Sequence, residues 1–149
     1  MNNMSAKILT YHHPITLECG TTLPNVDIAY STFGEMNADK SNVVWICHAF
    51  SANSDPTEWW PGMVGKGLFI DPDKYFIVCA NMLGSCYGTT GPLSVNPETG
   101  NKYYKDFPVV TVRDMVQTLT ILRKHLGIEK IFLHSFPTRR SSDLRKSVV

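Results

Sequence analysis

A histidine and a serine stand three residues apart in His48–Ser51, at the end of the apolar run Val43–Cys47 and just ahead of the polar, aromatic stretch 53–62, NSDPTEWWPG. Imidazole and hydroxyl groups are the parts of proton transfer and of nucleophilic acyl transfer, in which a base takes the serine proton as its oxygen attacks a carbonyl carbon. A short apolar run bounded by turn residues reads as a strand buried on both faces. In open α/β sheets the chemistry sits just past the carboxyl ends of such strands, so a site is expected at His48–Ser51. Position alone makes neither residue a catalyst. Histidines at strand ends commonly serve structure, and the expectation is that His48 anchors its loop and Ser51 hydrogen-bonds within it. Ala49, Ser51, Trp59 and Trp60 are candidates for a substrate pocket. The two adjacent indoles would serve equally as a substrate wall or as the packing of a short turn over the sheet.

Other residues with chemical potential carry weaker signals. The glycine-rich stretch Asn81–Leu93, NMLGSCYGTTGPL, has neither GxGxxG nor GxxxxGK[ST] spacing. It is expected to be a loop crossing close to other backbone rather than a phosphate cradle. Cys19, Cys47, Cys79 and Cys86 show no metal-ligand spacing, and Cys47 and Cys79 fall inside apolar runs. Structural thiols are the expectation, with no metal. Arg113 and Asp114 are expected to form a solvated or capping pair on an amphipathic helix.

The elements that would position these residues follow from periodicity. Ile15–Glu18 and Val26–Phe33, separated by a connector with Gly20 and Pro24, are predicted to pair antiparallel, with the second at a half-buried edge. Tyr75–Ala80 is a second interior strand. Thr111–His125 is the clearest helix, because Val112, Met115, Val116, Leu119, Leu122 and Leu126 recur at three- and four-residue steps. Thr111 with Asp114 resembles a helix start and Gly127 a natural stop. Ile131–Leu133 begins a further short strand. This order predicts an α/β fold with a mostly parallel sheet and an N-terminal antiparallel strand pair.

With 149 residues, 43% hydrophobic and 18% charged, the chain has a globular composition and enough length to bury a core. A net charge of +1 gives no electrostatic case for nucleic acid or an anionic membrane. No basic-then-apolar leader opens the sequence and no apolar run approaches the ~20 residues of a membrane span, so a cytoplasmic location is expected.

Four stretches, VVWICHAFSANSD, YFIVCANMLGSCYGTTGPLSVNPETG, DFPVVTVRDMV and ILRKHLGIEKI, resemble in order the N-terminal part of the homoserine O-acetyltransferase family over about residues 8–133. The resemblance implies an α/β-hydrolase fold and transfer of acetyl from acetyl-CoA to the hydroxyl of L-homoserine, in methionine biosynthesis. Relatives using succinyl-CoA, or serine as acceptor, are the alternative within the family. It further implies an acyl-serine intermediate, no bound cofactor, and a homodimeric full-length enzyme. His48-Ala49-Phe50-Ser51 is similar to the family's oxyanion loop, in which the backbone N–H of Phe50 would be one of two donors to the tetrahedral oxyanion. By the same resemblance the catalytic histidine lies far downstream of His48.

The resemblance stops near residue 133. The family continues into a glycine-flanked serine elbow, but no glycine follows Gly127 here, and the nucleophile would fall near Thr138, between Pro137 and Arg139. Ser135 is flanked by His134 and Phe136, too bulky for such a turn. Charge changes as well. There are ten Lys/Arg against twelve Asp/Glu through residue 133, then four against one. SFPTRRSSDL reads like a translated sequencing adapter. Residues 1–133 are therefore expected to be the N-terminal part of an α/β-hydrolase domain, and 134–149 a non-family tail, disordered or artefactual. Nucleophile, acid and base would all be absent from this chain. A rival from another class is a small non-catalytic α/β binding domain.

Overall fold

The computed structural model describes residues 6–49 and 51–135. A five-stranded sheet runs in the order β1 (Lys7–Tyr11), β4 (Val26–Phe33), β6 (Phe76–Ala80), β5 (Val43–Ile46), β7 (Leu133–Ser135). The β1–β4 and β4–β6 pairings are antiparallel, and β5 pairs parallel with both β6 and β7. The sheet is thus mixed among the described strands, with its parallel part around β5. A separate two-stranded ribbon joins β2 (Ile15–Thr16) to β3 (Thr22–Leu23).

Two expectations about the N-terminal part need correction. The antiparallel partners of Val26–Phe33 are Lys7–Tyr11 and Phe76–Ala80, not Ile15–Glu18, whose first residues instead turn back on Thr22–Leu23. Val26–Phe33 is also no edge strand, because β1 and β6 flank it. The cause is visible in β4. Ile28, Ala29, Tyr30 and Ser31 are all buried, whereas strict alternation would have exposed every second one. Ala29 and Ser31 are small enough to be covered by loops that the sequence pattern does not reveal.

The central strands alternate cleanly between two cores. Val43, Trp45, Cys47, Val78 and Ala80 point into the larger one, which Leu119, Leu122 and Ile128 close from the far side. Val44, Ile46, Ile77 and Cys79 point into the smaller one, with Val64, Ile70, Trp59 and Trp60. Apolar side chains on both faces of β5 and β6 are what a continuous apolar run requires.

Helix α2 (Val112–His125) packs on the larger core. Its start is a capping box, in which Thr111 and Asp114 each accept from the other's backbone N–H. Asp114 reaches further, accepting from the N–H of Glu18 at 2.9 Å, and so ties the N-terminal segment to the helix. At the other end Gly127 adopts φ +66°, and the N–H of Ile128 returns to Arg123 O.

Beyond Ala80 the strand β6 stops while β4 continues. The loop after β6 takes its place. Ala29 N–H donates to Thr89 Oγ1 at 3.0 Å and Asp27 N–H to Thr90 Oγ1 at 2.8 Å, while Thr90 N–H donates to Asp27 O at 2.9 Å. Two threonine side chains thereby complete a ladder that no strand completes.

Candidate active site at the carboxyl ends of the parallel strands

Where β5 and β6 end, a cavity of about 540 Å³ opens between three segments. The loop after β5 contributes His48 and Ser51, the loop after β6 contributes Met82–Tyr87, and the start of α2 contributes Val110 and Met115. Among the described residues no Asp, Glu, Lys or Arg lines it. This is the position expected for a site in a sheet of this type.

The β5 loop is tight. Ala49 O accepts both from the His48 ring, with Nδ1 at 2.8 Å, and from Ala52 N–H at 3.0 Å. Tyr87 reaches across from the other loop, its hydroxyl donating to Ser51 O at 3.4 Å. Behind them Asn81 donates to Tyr87 O at 2.7 Å and to Ser54 Oγ at 3.3 Å. These bonds lock the two loops to one another. The glycines of Asn81–Leu93 do cross close to other backbone: a Cβ on Gly91 would lie 2.7 Å from Ser85 O.

A smaller polar cavity of about 210 Å³ is also lined by Tyr87, together with Ser31, Ser54, Asp55, Glu58 and Asn81 among others. Asp55 caps α1 (Pro56–Trp59) by accepting from Thr57 N–H and Oγ1, and Glu58 accepts from Asn53 Nδ2.

The other candidates distribute as follows. Ser51 lines the larger cavity and Ala49 supplies the carbonyl that holds His48. Trp59 and Trp60 stack at 5.8 Å, pack on the smaller core, and are not among the residues lining either cavity described above. Phe50, the expected oxyanion donor, lies outside the described residues, as do Phe136 and Thr138. Ser135 is the last residue of β7, opposite Ile46 in the parallel register. The strand sits two residues later than Ile131–Leu133 suggested, and it crosses the 133/134 boundary. The contribution of Met82–Tyr87 was missed because nothing in a non-phosphate glycine loop signals an apolar pocket wall. Its only cue is the apolar pair Met82-Leu83 directly after a buried strand.

Electrostatically the site is shielded. Burial lowers the His48 imidazole below its ordinary value of 6.5, partly opposed by its bond to Ala49 O. Burial alone pushes the Cys47 thiol up to about 11, and burial, with the charges of Cys47 and Asp55 nearby, raises the Cys79 thiol as well, so both are inert thiols. All four cysteines are free, Cys19 and Cys86 at the surface. Among the described residues no group of His, Cys, Asp and Glu is placed to hold a metal ion, and no helix is long and apolar enough to cross a membrane.

The His48 shift makes a prediction. The unfolded chain takes up a proton that the folded ring resists, so this contribution to stability is present above pH 6.5 and is lost as pH falls below it. Melting temperatures of the wild type and of His48→Asn should converge as pH drops from 7.5 to 5.5. A constant or widening gap would show that the ring titrates normally.

The chain is 49% identical over 128 residues to homoserine O-acetyltransferase from Cyclobacterium marinum, covering 86% of this chain and 36% of that protein. It is 53% identical over 124 residues to the Chlorobium chlorochromatii protein of the same name, covering 83% and 35%. The chain resembles a portion of the homoserine O-acetyltransferases. Among solved structures, homoserine O-acetyltransferase from Bacillus anthracis superposes with a TM-score of 0.72 at 36% identity, over 86% of this chain and 39% of that one. Esterase E22 gives 0.73 at 32% identity, over 87% and 40%. The fold is therefore that of the α/β-hydrolases, as the resemblance implied. No family profile matches the chain. The chain spans about a third of the length of the curated family members it matches.

Proposed function

We propose that this chain forms the N-terminal part of an acyltransferase that moves acetyl from acetyl-CoA to the hydroxyl of L-homoserine. The observation that carries the reading is the 49% and 53% identity to homoserine O-acetyltransferases over 128 and 124 residues. What these residues would do is form one wall of the acyl-transfer site. The β5 loop would present the Phe50 N–H to the oxyanion, and Ala49 and Ser51 would shape the pocket beside it. Trp59 and Trp60 would hold the loop from the opposite core. Preorganised N–H donors of this kind stabilise the charge that develops on the carbonyl oxygen during attack. The nucleophilic serine, its base and the orienting acid would come from chain that corresponds to none of residues 1–133. Residues 134–149 would form a non-family tail. The same reading makes acetyl-CoA a co-substrate and not a bound cofactor, and it places a homodimeric full-length enzyme in the cytoplasm.

A second reading is supported by the likeness to esterase E22, in which the same acyl-serine chemistry would end with water as acceptor. The test joins residues 1–133 to the C-terminal portion of the Bacillus anthracis protein. Formation of O-acetylhomoserine from acetyl-CoA is expected for the chimera and not for the 149-residue chain. Hydrolysis of acetyl esters without transfer to homoserine would favour the second reading. A preference for succinyl-CoA would overturn the donor assignment.

A further inference from the structure

Among the described residues, the hydrogen bonds that tie residues 49–54 to β4 or to the loop after β6 end on two oxygens, Ser54 Oγ and Ser51 O. Bonds within the turn, to Ala49 O, set its shape but not its place. Bonds to Trp59 and Glu58 join it only to the chain that follows. Both oxygens lead back to one side chain. Asn81 Nδ2 donates to Ser54 Oγ at 3.3 Å, which also stands 3.2 Å from Ser31 Oγ of β4. The same nitrogen donates at 2.7 Å to the carbonyl of Tyr87, the residue whose hydroxyl reaches Ser51 O.

The backbone of Asn81 is fixed on both sides. Its N–H donates to Ala29 O at 2.8 Å, its carbonyl accepts from Thr89 Oγ1 at 2.9 Å, and the residue is 1% exposed. A carbonyl oxygen can only accept, so the amide nitrogen and not its oxygen stands at Tyr87 O. An NH₂ group carries two protons on one atom, and here one goes to each loop. Aspartate would offer none there, and serine or threonine only one. The orientation is unfavourable for the other half of the amide, because Oδ1 is left buried without a partner. Native proteins rarely leave such a group unpaired, and an apolar side chain filling the same space would avoid the loss. We propose that Asn81 is a positioning residue, whose two N–H groups set the loop after β5 against the loop after β6 and so fix the turn at residues 49–52. The inference rests on the acyl-transfer reading for its consequence alone. Phe50 lies in that turn, and a backbone donor stabilises an oxyanion only when it is held in place beforehand.

The test is amide hydrogen exchange of the full 149-residue chain, read at Ala52 N–H, which is bonded within the turn, and at Leu122 N–H, inside α2. Asn81→Ala should speed exchange at Ala52 about tenfold more than at Leu122, the effect of one buried hydrogen bond lost locally. Ser54→Ala removes one tether and leaves Asn81 in place. It should speed exchange at Ala52 by a smaller factor, and Asn81→Ala should add less to it than to the wild type. Ser54→Ala decides the matter alone if Asn81→Ala does not fold. Equal acceleration at both amides, independent effects of the two substitutions, an Ala52 amide unprotected in the wild type, or an Ala52 amide unmoved by Ser54→Ala would each overturn the proposal. The chimera separates this inference from the reading it rests on. In an active chimera Asn81→Ala should lower kcat by about tenfold or more at unchanged KM for homoserine, short of the ~10²–10³ of losing an oxyanion donor outright. An unchanged kcat would overturn the positioning role. A folded but inactive chimera, with Ala52 responding as stated, would sink the acyl-transfer reading and leave the placing of the loop by Asn81 intact.

Discussion

Replacing Gly34 by alanine is expected to destabilise the fold by about 3–5 kcal/mol, at the far end of what single substitutions do. Gly34 follows β4 with φ +73°, and a Cβ there would lie 2.3 Å from both Pro72 O and Tyr75 O. Left-handed backbone costs an alanine only about 1–2 kcal/mol. The larger part comes from two backbone carbonyls, which cannot swing away as a side chain would. Moving them would shift the entry to β6 and, through it, the wall of the cavity. Gly100 supplies the control, since φ is +72° there but nothing lies within 4 Å of the added atom. Gly100→Ala should therefore show the conformational term alone, about 1–2 kcal/mol. Urea midpoints of the two variants measure the difference. Equal losses would mean that the 65–75 loop yields freely.

Asp114→Ala should cost about 3–4 kcal/mol. The carboxylate is 2% exposed and accepts from the N–H of Thr111 at 2.8 Å, from Thr111 Oγ1 at 3.1 Å and from the N–H of Glu18 at 2.9 Å. Losing a cap costs about 1 kcal/mol, and each buried donor left unpaired adds about 1–3. Asp114→Asn keeps one acceptor oxygen and should recover roughly half of that loss. Thermal melts of both variants test this. A loss under about 1 kcal/mol for the alanine variant would show that water replaces the carboxylate without penalty.

The two predictions also mark where sequence and structure parted. Helix α2 was readable to within a residue, with Thr111 as its cap and Gly127 as its stop, because capping and helical periodicity are local properties. The central strands β5 and β6 were readable because burial on both faces leaves an unbroken apolar run. The link from Asp114 to Glu18 was not, since it joins residues 96 apart, and Asp114 had been expected simply to cap or to face solvent. The partner of β4 was misassigned for a related reason. A turn-rich connector between two apolar stretches suggests a hairpin, yet the longer-range pairing with Lys7–Tyr11 offers five paired residues against the two of the small ribbon. In the candidate site His48–Ser51 was legible from its strand. The Met82–Tyr87 wall was not, because glycines report backbone freedom and say nothing about which side chains a loop presents.

The ladder completed by Thr89 and Thr90 has a consequence for how the pocket moves. Amides at Asp27 and Ala29 are held by hydroxyl groups of the loop after β6, so they can exchange with deuterium only when that loop lifts from β4. The loop cannot lift alone, because Thr89 also donates to Asn81 O at the end of β6. Loop and sheet should therefore open as one cooperative unit, with the slow exchange of a core strand instead of the fast exchange of a surface loop. A ligand entering the cavity meets a wall whose ordering entropy was already lost when the chain folded.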